Sequence, residues 1–596
     1  MIHLYKSLKV LLSKEDSRKV IFLSSLLFVI VVLEVAAVLI ITLLVSGLND
    51  PDQTAVQINS FVSFFTLHSP INLSFNHLLL LVIFYVIFSI FIYLHTMRYV
   101  SLQTQLITSN LKSNFISKTL SLSWMENIGQ NSSQRISNVL NDTVQIGFTL
   151  IDLMYLLSRV YLSILLICWL LYVDLAITAS ILLTLIVLYI LIHLVLRPYL
   201  LKYGEQTVEF NQSLVKSLTN MFGHIKEIIF YNSQSKQKKT LRDINLKIAS
   251  SMGKKFFLVN IPRFLIDSLI LIFIVLGVAF YSNTATVPES FYSTISIFGV
   301  AAIKMLPAIQ NIFYYTQQIL SRKKNLDNLV HYFQQFNPQK TRNIYTSSSS
   351  FQIQKNLSFK NINFEYKKRV STLRDFSVSI DIGDRIAIVG PSGSGKSTFL
   401  DILLGILPPS SGEIFLDSTL SNFTNTNQYR KNFSYVPQKT FLVEGTLREN
   451  ILLYGGENVF DVSESEILAQ SKISNFIDNL DNGLDTLVSE TSQKISGGEK
   501  QCIGFARAFV QDKEIMVLDE ATSSMDKDLS SDIIHSALSA SKTIICVSHQ
   551  AHLLHLFNKI MVFENGCLVD FDTLDSLLMR NEFIKRLMQN ESKKKD

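Results

Sequence analysis

Residues 21–45 form an apolar run of 25 residues interrupted by one charge, Glu34. A helix of that length crosses the roughly 30 Å hydrocarbon core of a bilayer. The run is too long for the apolar core of a secretory signal. In hydrocarbon the backbone must satisfy its own polar groups, so the run has to be helical. Five more stretches approach spanning length, at about 78–94, 153–173, 175–196, 264–281 and 291–314. Only Asp174 separates the third from the fourth, which makes them a tight hairpin. Charged residues are 17% of the chain, against about 25% in ordinary soluble domains. The deficit lies in the first half. The chain therefore reads as an all-α six-helix membrane half followed by a soluble half.

Lysine and arginine set the orientation. Segments 47–76 and 282–290 and the Asp174 turn carry none, whereas 197–262 alone carries eleven. Both termini and the soluble half are thus expected on the cytoplasmic side. This basic bias also accounts for the modest net charge of +6, without any need for nucleic-acid binding. Residues 1–19 read as an amphipathic interfacial helix and 20–335 as the membrane domain. The internal connections 95–148 and 197–262 are too long for loops. They read as helical extensions of the spans, turning near 125–134 and 211–223. The extracellular segment 47–76 carries an apolar patch at 61–67. Four cysteines without C-x-x-C spacing suggest neither a zinc site nor a disulfide framework, and three of them fall in the soluble half.

Residues 336–350 are polar and aperiodic and read as a linker. From 351 to 590, short β-rich runs alternate with helical patterns, as in an α/β domain, and 591–596 form a basic tail. Within this half, Gly390-Pro391-Ser392-Gly393-Ser394-Gly395-Lys396-Ser397 fits G-x-x-x-x-G-K-[ST], between an apolar strand at 386–389 and a helix from Thr398. Glycines let successive N–H groups turn toward a polyphosphate at a helix N-terminus. Lys396 reaches the β- and γ-phosphates, and the Ser397 hydroxyl can ligand Mg²⁺. Further on, Ile515-Met516-Val517-Leu518-Asp519-Glu520 is a buried strand ending in two carboxylates. Asp519 suits Mg²⁺ binding and Glu520 suits polarising an attacking water. Ser496-Gly497-Gly498 opens another helix and forms a second anion-binding terminus.

Together these motifs make residues 351–590 resemble the nucleotide-binding domain of ATP-binding-cassette (ABC) transporters. The resemblance implies that Tyr366 stacks on adenine and that ATP is held by Gly390, Ser392, Gly393, Ser394, Gly395, Lys396, Ser397 and Thr398. It makes Ser496, Gly497 and Gly498 the signature motif and places Asp526, in Ser523-Ser524-Met525-Asp526, in the D-loop. It assigns Gln438, in Tyr435-Val436-Pro437-Gln438, to Mg²⁺ and to the link with the membrane domain, and His549 to the switch histidine. Glu490 resembles the exporter-specific loop. Departures are Ile495 and Glu499, where Leu and Gln are commoner, and Cys502, where a basic residue is usual. Ser397, Gln438 and Asp519 are the implied metal ligands, and Glu520, His549 and Gln438 the catalytic set.

Membrane half followed by one ATPase domain resembles the exporter branch, which implies a homodimer that shares its two ATP sites, with ATP and Mg²⁺ as cofactors. Ionisable residues in the spans are Glu34, Asp152, Arg159, Asp267 and Lys304, with Arg263 at an edge. Asp152 with Arg159, and Arg263 with Asp267, are expected to pair along their own helices. Lys304 has no acid three or four residues away. Short patches, among them Ile261-Pro262-Arg263 and Met305-Leu306-Pro307, resemble bacterial flippases for lipid-linked oligosaccharides. That resemblance implies a bacterial inner-membrane location and an amphipathic anionic substrate, held by Arg263 and Lys304. Exporters of lipid A type, of drugs or of peptides are the alternatives. A membrane-tethered regulatory ATPase is the alternative of another class.

Overall fold

The computed structural model describes residues 2–47, 75–128, 132–282, 289–334, 352–366, 372–417, 419–420, 426–454, 464–490, 495–541 and 543–592. The 61–67 patch and the 336–350 linker lie outside them. The chain divides into two compact units, Met1–Leu122 with Gly129–Asn337, and Pro338–Asp596 with Ser123–Ile128.

The first unit is helical. Its elements are α1 (Ile2–Leu11), α2 (Lys14–Gly47), α3 (Phe75–Leu120), α4 (Trp124–Asn127, assigned to the other unit), α5 (Ser132–Val173), α6 (Leu175–Gly223), α7 (Ile225–Phe230), α8 (Gln234–Ser282), α9 (Glu289–Ser321) and α10 (Lys323–Gln334). Five described stretches are long and apolar enough to cross a membrane: Lys14–Thr42, Val82–Leu120, Ser132–Val173, Leu175–Gly223 and Ile297–Ser321. The expected span at 264–281 forms the end of α8, where many side chains lie outside the description.

The expected single helix over 1–19 is two helices. Ser13 ends the first and caps the second, its Oγ accepting the Asp16 N–H at 3.0 Å and donating to Asp16 Oδ2 at 2.7 Å. Asp16 also accepts from Asn110 of α3. At the hairpin, Asp174 leaves helical geometry and its side chain accepts the Ile177 N–H at 2.9 Å, which starts α6. The turn expected at 211–223 comes later. α6 runs unbroken to Gly223, and the chain reverses through α7 and Asn232, whose φ is +50°.

Buried Val100, Ile107, Leu111 and Phe115 line one face of α3 at helical spacing. They meet Ile146, Leu150 and Met154 of α5 and Leu326, Leu329 and Tyr332 of α10. α6 and α9 approach so closely that a Cβ at Gly204 would lie 2.3 Å from the Ser321 carbonyl oxygen.

Both expected same-helix ion pairs are corrected. Seven helical residues rise about 10 Å, too far for direct pairing of Asp152 with Arg159. Arg159 instead donates to Glu34 of α2 at 3.0 Å, and Asp152 pairs with Arg322. An Arg placed N-terminal to its acid is also the weaker i,i+4 orientation, and Asp267 accepts from Gln310 of α9 rather than from Arg263.

The second unit is α/β. Its strands are β1 (Asn356–Phe364), β2 (Leu373–Asp381), β3 (Arg385–Val389), β4 (Ser411–Leu416), β5 (Thr419–Leu420), β6 (Phe433–Val436), β7 (Gly445–Thr446), β8 (Leu487–Val488), β9 (Ile515–Asp519), β10 (Thr543–Val547), β11 (Lys559–Glu564) and β12 (Cys567–Asp572). The main sheet has the order β12-β11-β3-β10-β9-β6, parallel except at β12. β10 is buried along its whole length, which explains its continuous apolar reading. A smaller antiparallel sheet has the order β2-β1-β4-β5. Phe376 of that sheet, Phe563 of the main sheet and Phe399 of α11 (Lys396–Leu403) close the core, their ring centroids 4.6–5.6 Å apart.

Candidate functional site

Parallel strands bring their carboxyl ends to one edge of the sheet, where crossover loops bind ligands. β3, β10, β9 and β6 are in parallel register through Ile388↔Val547, Val547↔Asp519 and Leu518↔Val436. The residues just beyond those pairs are Gly390, His549, Glu520 and Gln438. Motifs scattered over 160 positions of sequence thus meet because four strands end together.

Gly390 has φ +152°, and a Cβ there would meet the Phe563 carbonyl oxygen at 2.2 Å. Gly395, at φ +103°, takes the N-cap position of α11. Ser392 and Gly393 are exposed at the tip. Lys396 is buried and its Nζ donates to the Gly390 and Pro391 carbonyls at 2.8 and 2.9 Å, folding over its own loop. The Ser394 hydroxyl is buried without a hydrogen-bond partner among the described residues. A curled loop, an inturned ammonium and an orphan hydroxyl at a helix start suit a polyphosphate. Ser397 is exposed beside them and Thr398 is buried.

Glu520 has φ +49° and is fixed by its backbone, whose N–H donates to the Val547 carbonyl at 3.0 Å. Its carboxylate takes two partners. Gln438 Nε2 donates to Oε2 at 2.6 Å, and His549 Nε2 lies 3.1 Å from Oε1. Gln438 and His549 of the expected catalytic set therefore both meet Glu520. Asp519 is half-buried, and its carboxyl is raised above the usual range by burial and by the neighbouring Glu520. Burial pulls the Lys396 ammonium down, and the two carboxylates push it back up. Asp519 and Ser397 supply oxygen donors of the kind Mg²⁺ takes.

Ser496 caps α12 (Gly497–Gln511) in a capping box. Its Oγ accepts the Glu499 N–H at 3.3 Å, and Glu499 Oε2 accepts the Ser496 N–H at 2.6 Å. The unusual Glu499 is thus the residue that closes the box. Gln501 ties this helix to the D-loop through Ser523 Oγ and the Ser524 N–H. Asp526 caps the following helix by accepting the Leu529 N–H. Gly497 and Gly498 neighbour Ser524, whereas the phosphate loop neighbours Phe563, Gly566 and Leu373. Tyr366 packs edge-on against Phe364, centroids 4.9 Å apart. Glu490 accepts from the Leu442 N–H and pairs with Lys500.

Three residues were not singled out from sequence. Tyr435 donates to Asp519 Oδ2 at 3.4 Å. Asp401, on α11, is raised to about 6 by burial and by Asp519. Arg507, buried on α12, donates to Asn450 O, Asn450 Oδ1 and Phe441 O. The one available signal was for Tyr435, a hydroxyl-bearing ring in the strand that leads to Gln438.

Residues 373–523 match the family model described as ABC transporter. A putative ABC transporter ATP-binding protein of Mycoplasma genitalium is 35% identical over 243 residues, 40% of this chain and 41% of that one. An uncharacterised ABC transporter ATP-binding protein of Bacillus subtilis is 32% identical over 243 residues, 40% of each. The lactococcin-A transport/processing ATP-binding protein of Lactococcus lactis subsp. lactis is 26% identical over 418 residues, 68% of this chain and 56% of that one. The chain thus spans about two fifths of the length of the first two relatives. A solved bacterial Atm1-family ABC exporter with ATP bound aligns with TM-score 0.75 and 18% identity, covering 97% of this chain and 98% of that one. This likeness gives the fold: a helical unit of apolar helices followed by an α/β unit.

Proposed function

We propose that this chain, an ABC transporter ATP-binding domain joined to an N-terminal transmembrane region, is an ATP-driven exporter. The observation that carries the reading is Glu520, held between Gln438 and His549 at the sheet edge that bears the phosphate loop. Lys396 exchanges its two loop carbonyls for phosphate oxygens when ATP enters. Glu520 accepts a proton from the attacking water, His549 orients that carboxylate, and ADP and phosphate leave. Ser397, Asp519 and Gln438 would hold Mg²⁺, which neutralises charge between the β- and γ-phosphates when bound. Tyr366 offers its ring to adenine.

The assembly we infer is a homodimer. Its signature helix and phosphate loop have different neighbours within one chain, and a second copy would bring Ser496, Gly497 and Gly498 opposite Gly390–Ser397, with Asp526 alongside. The setting is a bacterial inner membrane with the ATPase domain cytoplasmic, in line with the basic internal segments. The substrate we propose is a lipid-linked oligosaccharide or similar anionic glycolipid, moved by alternating access. Arg263 and Lys304 are both exposed, and neither has an ion-pair partner among the described residues. The other four span ionisable residues take up one another, Arg322 or Gln310.

The test is ATP-dependent movement of a labelled lipid-linked oligosaccharide in proteoliposomes. Glu520→Gln should lower turnover by roughly 10²- to 10⁴-fold with ATP binding kept, and a fully active variant removes the base assignment. Arg263→Ala with Lys304→Ala should abolish flipping while basal ATPase persists. Intact flipping rejects the cationic-cavity reading, and transport of a drug or peptide instead selects an alternative.

A further inference from the structure

The segment Tyr435-Val436-Pro437-Gln438 touches both carboxylates of the Asp519-Glu520 pair. Gln438 donates to Glu520 at 2.6 Å, and Tyr435 donates to Asp519 at 3.4 Å. The register explains the second contact. Tyr435 pairs with Val517, and Asp519 stands two residues further along β9. Residues two apart share a sheet face and lie about 7 Å apart diagonally, within reach of a long side chain. The Tyr435 ring is half-buried and packs on the core that also holds Val517, Phe399 and Leu400. Its hydroxyl is therefore aimed by a rigid ring. Asp519 and Asp401 both act on this hydroxyl through their negative charge.

We propose that Tyr435 is a positioning residue for Mg²⁺ binding: its hydroxyl occupies Asp519 Oδ2 and leaves Oδ1 for the cation. The inference rests on the ATPase reading above. An ionised carboxylate has several lone-pair sites, so one hydroxyl fixes its rotamer without exhausting its capacity. At 3.4 Å the bond is long for O–H···O. Catalytic hydrogen bonds are often long before the reacting complex forms and tighten in it. Tyr435 and Gln438 make one short segment responsible for both acidic groups: one end fixes the metal-binding carboxylate, the other restrains the base. Movement of that segment would disturb both together.

The experiment uses the full chain in nanodiscs, with Mn²⁺ as the metal probe read by electron paramagnetic resonance in the presence of ATP. Fluorescent ATP binding without metal is measured in parallel. Tyr435→Phe keeps the ring and removes the hydroxyl. The expected result is Mn²⁺ binding weakened about three- to tenfold, the range one long hydrogen bond of ordinary net strength supplies, with metal-free ATP binding unchanged. Mn²⁺ affinity within twofold of the wild type overturns the proposal, as does an equal loss of metal-free ATP binding. In an Asp519→Asn background, Tyr435→Phe should add no further loss, because the hydroxyl acts through that carboxylate. An additional loss there also overturns it. A wild-type chain that binds no ATP in either assay defeats the ATPase reading itself, whereas a normal wild type with a silent Tyr435→Phe defeats only the role given to Tyr435.

Discussion

Arg507→Met tests whether the signature helix and the Gln438 loop form one mechanical unit. The guanidinium is 6% exposed and donates three hydrogen bonds, at 2.7 Å to Asn450 O, 2.8 Å to Phe441 O and 3.1 Å to Asn450 Oδ1. It also stands 5.6 Å from the Tyr454 ring centroid. Methionine fills much of the volume and satisfies none of the three acceptors. Hydrogen bonds to charged groups contribute about 1.5–3 kcal/mol each, and removing a buried cation returns several kcal/mol of desolvation. The net loss is about 3 kcal/mol by that balance. For a domain of this size it lowers the melting temperature by about 6–12 °C. The assay is thermal unfolding of the full chain in detergent, with proteolysis reporting the ATPase domain. Hydrogen exchange should speed up at Phe441 and Asn450, close to the loop carrying Gln438. Asn450→Ala removes one of the same bonds, that to Oδ1, so the double variant should be less destabilised than the sum of the singles. A melting point within 2 °C of wild type, or full additivity, refutes the reasoning.

Gly390→Ala should abolish ATP binding in the fluorescent-nucleotide assay, because a Cβ would lie 2.2 Å from a backbone oxygen of Phe563; binding within threefold of wild type contradicts the loop geometry. Asp401→Asn should raise the nucleotide-free melting temperature at pH 8, with the gain shrinking as pH falls toward 4. The sign follows from a folded-state value raised from 3.8 to about 6: the native protein binds the proton more tightly, so the charged carboxylate costs stability, and that cost grows as pH rises through this interval. In the membrane unit, Arg159→Ala should destabilise detergent-solubilised protein by stranding Glu34, and adding Glu34→Ala should recover part of the loss, since an unpaired buried charge is worse than none. Equal melting of the single and double variants argues against the pair.

Much of the site was legible because its chemistry is local. Gly390, Gly395, Lys396 and Ser397 are consecutive or nearly so, and the backbone curl they need is set by glycines at positive φ. The strand ending in Asp519-Glu520 is a continuous apolar run, as a strand buried on both faces has to be. Glu499 read as a departure from the usual signature, yet it completes the cap of its helix. The ionisable residues of the spans were legible as exceptional, but their partners were not. Periodicity along one helix favoured Asp152 with Arg159 and Arg263 with Asp267, while the observed partners Glu34, Arg322 and Gln310 come from other helices.

The sequence alone determined that the first half must be helical, since unpaired backbone cannot lie in hydrocarbon, and that the second half carries the glycine and lysine spacing of a phosphate loop, because that pattern lies in eight consecutive residues. Tertiary structure decided which side chains meet. Gln438, Glu520 and His549 are brought together by parallel strands ending at one edge, and Tyr435 reaches Asp519 through the register of β6 against β9. Those contacts depend on strand order, and strand order is a property of the whole chain that no local run of residues encodes.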